Sequence, residues 1–152
     1  MELDDLDIKT LCVLLERGRI TWSELASQLG LSAPATADRV KRLEERGFIE
    51  GYSARLNAEA LGLDLTAFIA VTLEQPRYRA GFLAQVQESA EILECHHVTG
   101  DDDYLLKVRC RHTKALEALI SQRLKAIEGV ARTRTLIVLS TVKERQALLA
   151  AR

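Results

Sequence analysis

The sequence has no surplus of either charge, no long apolar run and no paired-cysteine motif, and each absence removes a class of protein. Its 152 residues carry 21 Lys and Arg against 22 Asp and Glu, so neither a polybasic nucleic-acid coat nor an acidic tail is present. Any DNA binding must come from a local patch. The longest stretch without a charged residue, 25–37, is broken by Gly30 and Pro34 and is too short and polar to span a bilayer, which argues against a membrane partner. The first residues, MELDDLD, are acidic where an export signal needs a positive start before an apolar run, so a cytoplasmic location is expected. Cys12, Cys95 and Cys110 are odd in number and far apart, which disfavours a disulfide framework or zinc cage and leaves buried free thiols. No nucleophile–base pair, phosphate-cradling glycine loop or closed metal constellation stands out, so catalytic residues, metal ligands and a cofactor are not expected.

What is there is ordinary soluble composition, 47% hydrophobic and 28% charged, at a length suiting one domain or two small ones. The first half reads as short helices. Asp4 or Asp5 can cap a helix whose apolar positions include Leu11, Leu14 and Leu15, and Gly18 stops it. Thr21 and Glu24 form a capping-box pattern, Leu25 and Leu29 lie one turn apart, and Gly30 ends this second helix. Ser32 can cap a third, with Pro34 in its first turn and Val40 and Leu43 inward, until Gly47. The junction Gly30-Leu31-Ser32 leaves only the tight turn of a helix-turn-helix. Residues 48–57, FIEGYSARLN, suggest a short two-stranded wing.

The second half changes period. Strands are expected at 65–73, 92–98, 103–110 and from about 130 to 142, and helices at 78–87, with Tyr78, Phe82 and Val86 on one face, and from a Thr113 cap to Gly129. Gly100-Asp101-Asp102 turns the second strand into the third. The order β-α-β-β-α-β is the ferredoxin-like split unit, with both helices on one face of the sheet. The strands nevertheless carry apolar residues on both parities. The second apolar face needs a partner, and a second copy of the same sheet is the simplest, so a homodimer is expected.

Four stretches in order, L-D-D-L-D, E-L-A-S-Q-L-G-L-S, R-V-K-R-L-E-E-R-G-F-I-E-G-Y and V-T-G-D-D-D-Y-L-L-K-V, resemble the Lrp/AsnC, or feast/famine, family of transcription regulators over almost the whole chain. The resemblance implies an α+β chain with a winged helix-turn-helix at 1–63 and a ferredoxin-like ligand-sensing domain, called RAM, at 64–152. It also implies dimers assembling to an octamer or another multiple of dimers, with a small molecule bound between dimers.

The third helix is then the candidate to enter the major groove of double-stranded DNA. With Val40 and Leu43 inward, Ala35, Asp38, Arg39 and Arg42 share the outer face. Ser32 and Thr36 offer hydroxyls, Arg39 and Arg42 can contact phosphate or guanine, and Lys41 and Arg46 suit phosphates. Relatives often carry a basic residue where this chain has Asp38, which either accepts from a cytosine amino group or pairs with Arg42 four residues on. Residues 1–63 hold 8 basic and 11 acidic side chains. A basic face of Arg17, Arg19, Arg39, Lys41, Arg42 and Arg55, with the first helix's acids turned away, and several linked domains would have to supply affinity.

The turn Val98-Thr99-Gly100-Asp101-Asp102-Asp103, followed by Tyr104, matches the family's ligand-binding loop, with Asp103 at the acidic motif position. Backbone N–H groups suit an α-carboxylate and an Asp an α-ammonium, so an amino-acid effector is expected. Leu139, Ser140 and Thr141 of a neighbouring dimer would close the pocket. A plain solvated turn is the competing reading, and a divalent-cation site lacks enough converging oxygens. Cys95 and His97 share one side of a strand, but two ligands make no structural zinc site. Trp22 reads as a packing residue. Two other functions compete: an enzyme similar to siroheme decarboxylases, whose histidines and aromatic-rich strand are replaced here by Tyr104-Leu105-Leu106-Lys107-Val108, and a regulator that ignores small molecules.

Overall fold

A computed structural model describes residues 2–145. Contacts divide the chain into two compact units, one running through Arg55 and the other spanning Leu56–Val142. The seam lies before residue 56, not at 63/64 as expected. Residues 57–63 form a local turn in which Asn57 Oδ1 accepts from the Ala60 N–H and Ala58 O accepts from the Leu63 N–H. That turn leads directly into the first strand and groups with it.

The N-terminal unit contains α1 (Asp5–Glu16), α2 (Trp22–Leu29) and α3 (Ala33–Glu45). Each starts on a side chain that satisfies N–H groups the helix cannot pair itself. Asp4 and Asp7 cap reciprocally at α1, Thr21 and Glu24 do so at α2, and Ser32 Oγ accepts from the Ala35 N–H at α3. Gly30, at φ +69°, closes α2 in the left-handed region that L side chains avoid. Leu25, Leu29 and Val40 form the core, joined by Leu6, Val13, Leu14, Ile20, Leu31 and Ile49. Leu15 and Trp22, both expected to pack, are about half exposed, at 46% and 47%.

No strand forms at 48–57, so the two-stranded wing is absent from the described residues. The N–H groups of Phe48 and Ile49 turn back onto Leu43 O and finish α3.

The C-terminal unit orders its antiparallel sheet β2 (Ile92–His97), β3 (Tyr104–Cys110), β1 (Leu65–Leu73), β4 (Val130–Ile137). Helices α4 (Arg79–Gln87) and α5 (Thr113–Ala118) supply the other layer. Ala67, Ile69, Val71, Tyr104, Leu106 and Val108 pack against Phe82, Val86, Leu116, Leu119 and Leu124, so both helices cover one face. The opposite face carries Phe68, Ala70, Leu105 and Leu136 across the β3–β1–β4 register.

Three boundaries differ from expectation. His112, not Thr113, caps α5, its Nδ1 accepting from the Ala115 N–H at 3.2 Å. The helix then widens into a π turn over Leu119–Arg123 and tightens into a 3-10 turn at Leu124–Ala126. Five residues of α-helix would carry Leu124 about 140° away from Leu119. The wider turn returns both to the core, where each is 2% exposed. Strand β4 stops at Ile137 instead of Val142 because β1 begins at Leu65; the Val138 N–H to Thr66 O bond is the last rung.

Candidate nucleic-acid interface and effector site

The acids of α1 do not turn away from α3, as expected, but hold it. The Arg39 guanidinium binds both oxygens of Asp4, at 2.7 and 2.8 Å, and Asp7 Oδ1. The Arg39 side chain is only 14% exposed, so it is not on the outer face. Its hydrogen bond to Asp4 raises the Arg39 pKa and holds the Asp4 carboxyl below its ordinary range. Arg46 lies 4.0 Å from Asp7 and over the Phe48 ring. Two of the basic residues expected to face DNA therefore fasten α3 to the start of α1.

Thr36 leaves the outer face too. It is fully buried, and its hydroxyl donates to Ser32 O at 3.0 Å. Ser32 Oγ is occupied by the cap. Ala35, Asp38, Lys41 and Arg42 are exposed. Lys41 lies 3.8 Å from Glu45, whereas Asp38 and Arg42 do not pair among the described residues. Arg42 is thus the exposed cation of α3 with no carboxylate partner. Arg17 pairs with Glu24 at 3.2 Å. Sequence reasoning missed Tyr52, half exposed, whose hydroxyl donates to Glu44 at 2.8 Å. Burial, with Glu44 adding to it, pushes its pKa up to about 12. The bond ties the segment after α3 back onto that helix; an aromatic eight residues beyond Glu44 was the signal.

At the β2–β3 hairpin the three adjacent aspartates have three different environments. Asp101 is exposed, along with Thr99 and Gly100, whose φ of +116° requires glycine. Asp103 Oδ2 accepts from the Leu73 N–H at 2.7 Å, its N–H donates to Val71 O, and its carbonyl accepts from the Val98 N–H. Asp102, only 8% exposed, accepts from Thr72 Oγ1 at 3.0 Å, Arg132 at 3.2 Å and Arg134 at 2.7 Å. The Thr72 bond, aided by Arg134 and Arg132, holds its carboxyl below the ordinary aspartate range. Asp102 and Asp103 thus serve as fastenings, and Thr99-Gly100-Asp101 is the presented surface.

Tyr104 does not face the turn openly. It is 3% exposed, packed between the Phe82 ring at 4.9 Å and the His97 ring at 5.1 Å. Leu139, Ser140 and Thr141 are exposed beyond β4. The register sets Ile137 opposite Ala67 but Tyr104 opposite Val71, so within one copy these residues and the hairpin lie toward opposite ends of the sheet. Among the described residues no group of three or more His, Cys, Asp and Glu is placed to hold a metal. His96 pairs with Glu94 at 3.0 Å, Cys110 is buried, and Cys12 and Cys95 are half-buried free thiols. No helix among the described residues is long and apolar enough to cross a membrane.

Residues 3–50 match the family described as winged helix-turn-helix DNA-binding, and residues 66–148 match the Lrp/AsnC ligand binding domain. A DNA-binding unit joined to a ligand-binding unit is the plan of a transcriptional regulator. Over 150 residues the chain is 41% identical to the leucine-responsive regulatory protein of Escherichia coli K12, covering 97% of this chain and 92% of that one. The chain belongs to the Lrp/AsnC family. A transcriptional regulator from Neisseria meningitidis, solved as a complex with L-Met, superposes with a TM-score of 0.93 at 35% identity, covering 97% of this chain and 96% of that one. The feast or famine regulatory protein from Mycobacterium tuberculosis, complexed with L-methionine, gives 0.90 at 40% identity, covering 98% and 100%. The relatives are named as regulators, and the enzyme reading falls with that.

Proposed function

We propose that the N-terminal unit reads double-stranded DNA through the exposed side of α3, with Arg42 as its principal cation, Lys41 on phosphate and Ala35 and Asp38 toward the bases. Few polar side chains are left there for direct readout, so DNA shape and the joint binding of several linked units carry much of the preference. The C-terminal unit takes an amino acid at Thr99-Gly100-Asp101. The observation that carries this reading is the division of labour in the hairpin. Two carboxylates fasten it to the sheet, which leaves the glycine turn's backbone and one acid rigidly presented for an α-carboxylate and an α-ammonium. Relatives solved with methionine favour a zwitterion of that kind.

The effector pocket is completed by a second dimer, whose Leu139, Ser140 and Thr141 approach the hairpin; the opposite-end register forbids the same residues from doing so in one copy. Dimers form when two copies cover each other's Phe68–Leu136 face, and further dimers join them in a cytoplasmic octamer or other multiple. A thermal-shift screen of the full chain against the twenty amino acids tests the effector assignment. The ligand should stabilise by about 2.7 kcal/mol at a hundredfold excess over its dissociation constant. We expect methionine or leucine among the responders; no shift with any amino acid would leave a regulator that ignores small molecules.

A further inference from the structure

Gly81 lies within α4, although glycine is the poorest helix former after proline. Neither of the usual reasons for a glycine applies: its φ is not positive, and a Cβ there would meet no atom within 4 Å. Gly81 lines a cleft of about 600 Å³ between α4 and the π and 3-10 turns that follow α5. That volume is within the range of pockets that hold small-molecule ligands.

The cleft is closed at both ends. At one, the Tyr78 ring packs on Gly129. At the other, Arg123 donates to Ser89 Oγ at 2.7 Å and to Glu91 at 2.8 Å, so this cation and this acid are already matched. Leu124 and Ile127 give the cleft apolar lining between the two. Four polar side chains of the lining are left unmatched. Arg77 lies over the Tyr78 ring, 4.9 Å from its centre, and donates to its hydroxyl at 2.9 Å, but it has no carboxylate partner among the described residues, and Glu128 has no cation there. The Gln85 and Gln122 side-chain amides make no hydrogen bond among the described residues. Arg77 precedes Tyr78 and Glu128 precedes Gly129, so both charges flank the end where ring meets glycine. Gln85 is one helical turn beyond Gly81 and Gln122 adjoins Arg123, so the amides lie toward the other end.

We propose that this cleft binds an adenosine monophosphate, lying along α4 with its phosphate on Arg77, its ribose hydroxyls on Glu128 and its adenine edge on Gln85 and Gln122. A guanidinium pairs a phosphate with parallel N–H bonds, a carboxylate accepts from a ribose hydroxyl, and a glutamine amide matches the donor and acceptor of adenine N6 and N7. The order of charged end and amide end follows the order of phosphate, ribose and base. A single amino acid would satisfy Arg77 and Glu128 but leave both amides and the far end of the cleft empty. Thr99, Gly100 and Asp101 do not line the cleft, so it is an input separate from the effector hairpin.

Isothermal calorimetry of the full chain with adenosine monophosphate tests this. Binding is expected with a Kd below about 1 mM, and adenosine or inorganic phosphate alone should bind about tenfold or more weakly. Hydrogen exchange should slow in α4 and the π turn and stay unchanged at Thr99-Gly100-Asp101. Arg77→Gln should weaken adenosine monophosphate by about tenfold while leaving adenosine within about twofold, a split that a merely structural role would not produce. Gly81→Leu puts a side chain into the cleft while raising helix propensity, so it should abolish measurable binding without lowering Tm. Gly81→Ala should stay within about threefold of wild type. No binding of adenosine monophosphate at millimolar concentration, inorganic phosphate binding as tightly, displacement by L-methionine, or full binding retained in Gly81→Leu would each overturn the proposal.

Discussion

In urea, Arg39→Ala is expected to unfold the N-terminal unit with about 2 kcal/mol less free energy than wild type, whereas Arg42→Ala changes it by less than about 0.5 kcal/mol. Trp22 is the only tryptophan in the chain and sits in this unit, so its fluorescence reports the transition. The size follows from what is left behind. Without Arg39, the Asp7 carboxylate, 10% exposed, keeps the Asp4 N–H at 3.2 Å but no cation nearer than Arg46 at 4.0 Å, and an enclosed charge without a close counter-charge is costly. On DNA the order reverses. Arg42→Ala should weaken binding by about 1–3 kcal/mol and reduce the salt slope by about one per copy in contact. Arg39→Ala should leave the salt slope unchanged, because its guanidinium neutralises Asp4 and Asp7 and not phosphate. A reduced slope in Arg39→Ala would place that residue on the DNA and refute the clasp.

Gly129→Ala is expected to destabilise the C-terminal unit by about 3 kcal/mol, read by calorimetry of the full chain. Two independent causes add. Gly129 has φ +84°, and a Cβ there would fall 2.0–2.4 Å from the Tyr78 ring and its Cβ. Its carbonyl also accepts from the Glu74 N–H, which limits how far the backbone can move away. In a Tyr78→Gly background the ring and the Cβ contact both vanish, so the added cost of Gly129→Ala should fall to the backbone part, about 1–2 kcal/mol. An unchanged cost in that background would mean that the ring is not what the glycine accommodates.

These residues also mark how far the sequence could be read. The three helices and their caps, and the β-α-β-β-α-β order, were legible because each depends on neighbours within four residues or on a period of 2 or 3.6. The Arg39 clasp joins residues 35 and 32 positions apart, and no periodicity distinguishes a basic residue that meets an acid from one that meets phosphate. Thr36 did leave a signal: Thr36, Val40 and Leu43 recur at helical spacing, and all three are buried. Taking Thr36 for an outward hydroxyl weighed residue type over position. The three aspartates of the hairpin look alike in sequence, and only the register of β1 with β4 separates the fastened Asp102 from the presented Asp101. The length of β4 was misjudged for a related reason. A strand ends where its partner ends, and β1 begins at Leu65 whatever apolar residues continue β4 to Val142.

The acidic balance of the first 63 residues, with 8 basic against 11 acidic side chains, takes a different meaning in the structure. Asp4 and Asp7 are not idle surface charge; with Arg39 and Arg46 they build the joint that sets α3 in place. The cation left over on α3 is Arg42, with Lys41 beside Glu45. With Arg39 and Arg46 drawn to the acids of that joint, fewer cations of the unit remain for phosphate.

A chain that both reads DNA and answers an amino acid must link the two affinities. The direct measurement is the DNA affinity of the full chain at fixed salt, with and without a saturating concentration of the amino acid that stabilises it most. A coupled regulator should change its DNA affinity by about 5–150-fold, and DNA should change the amino acid's affinity by the same factor. Equal DNA affinity with and without a demonstrably bound amino acid would contradict the claim.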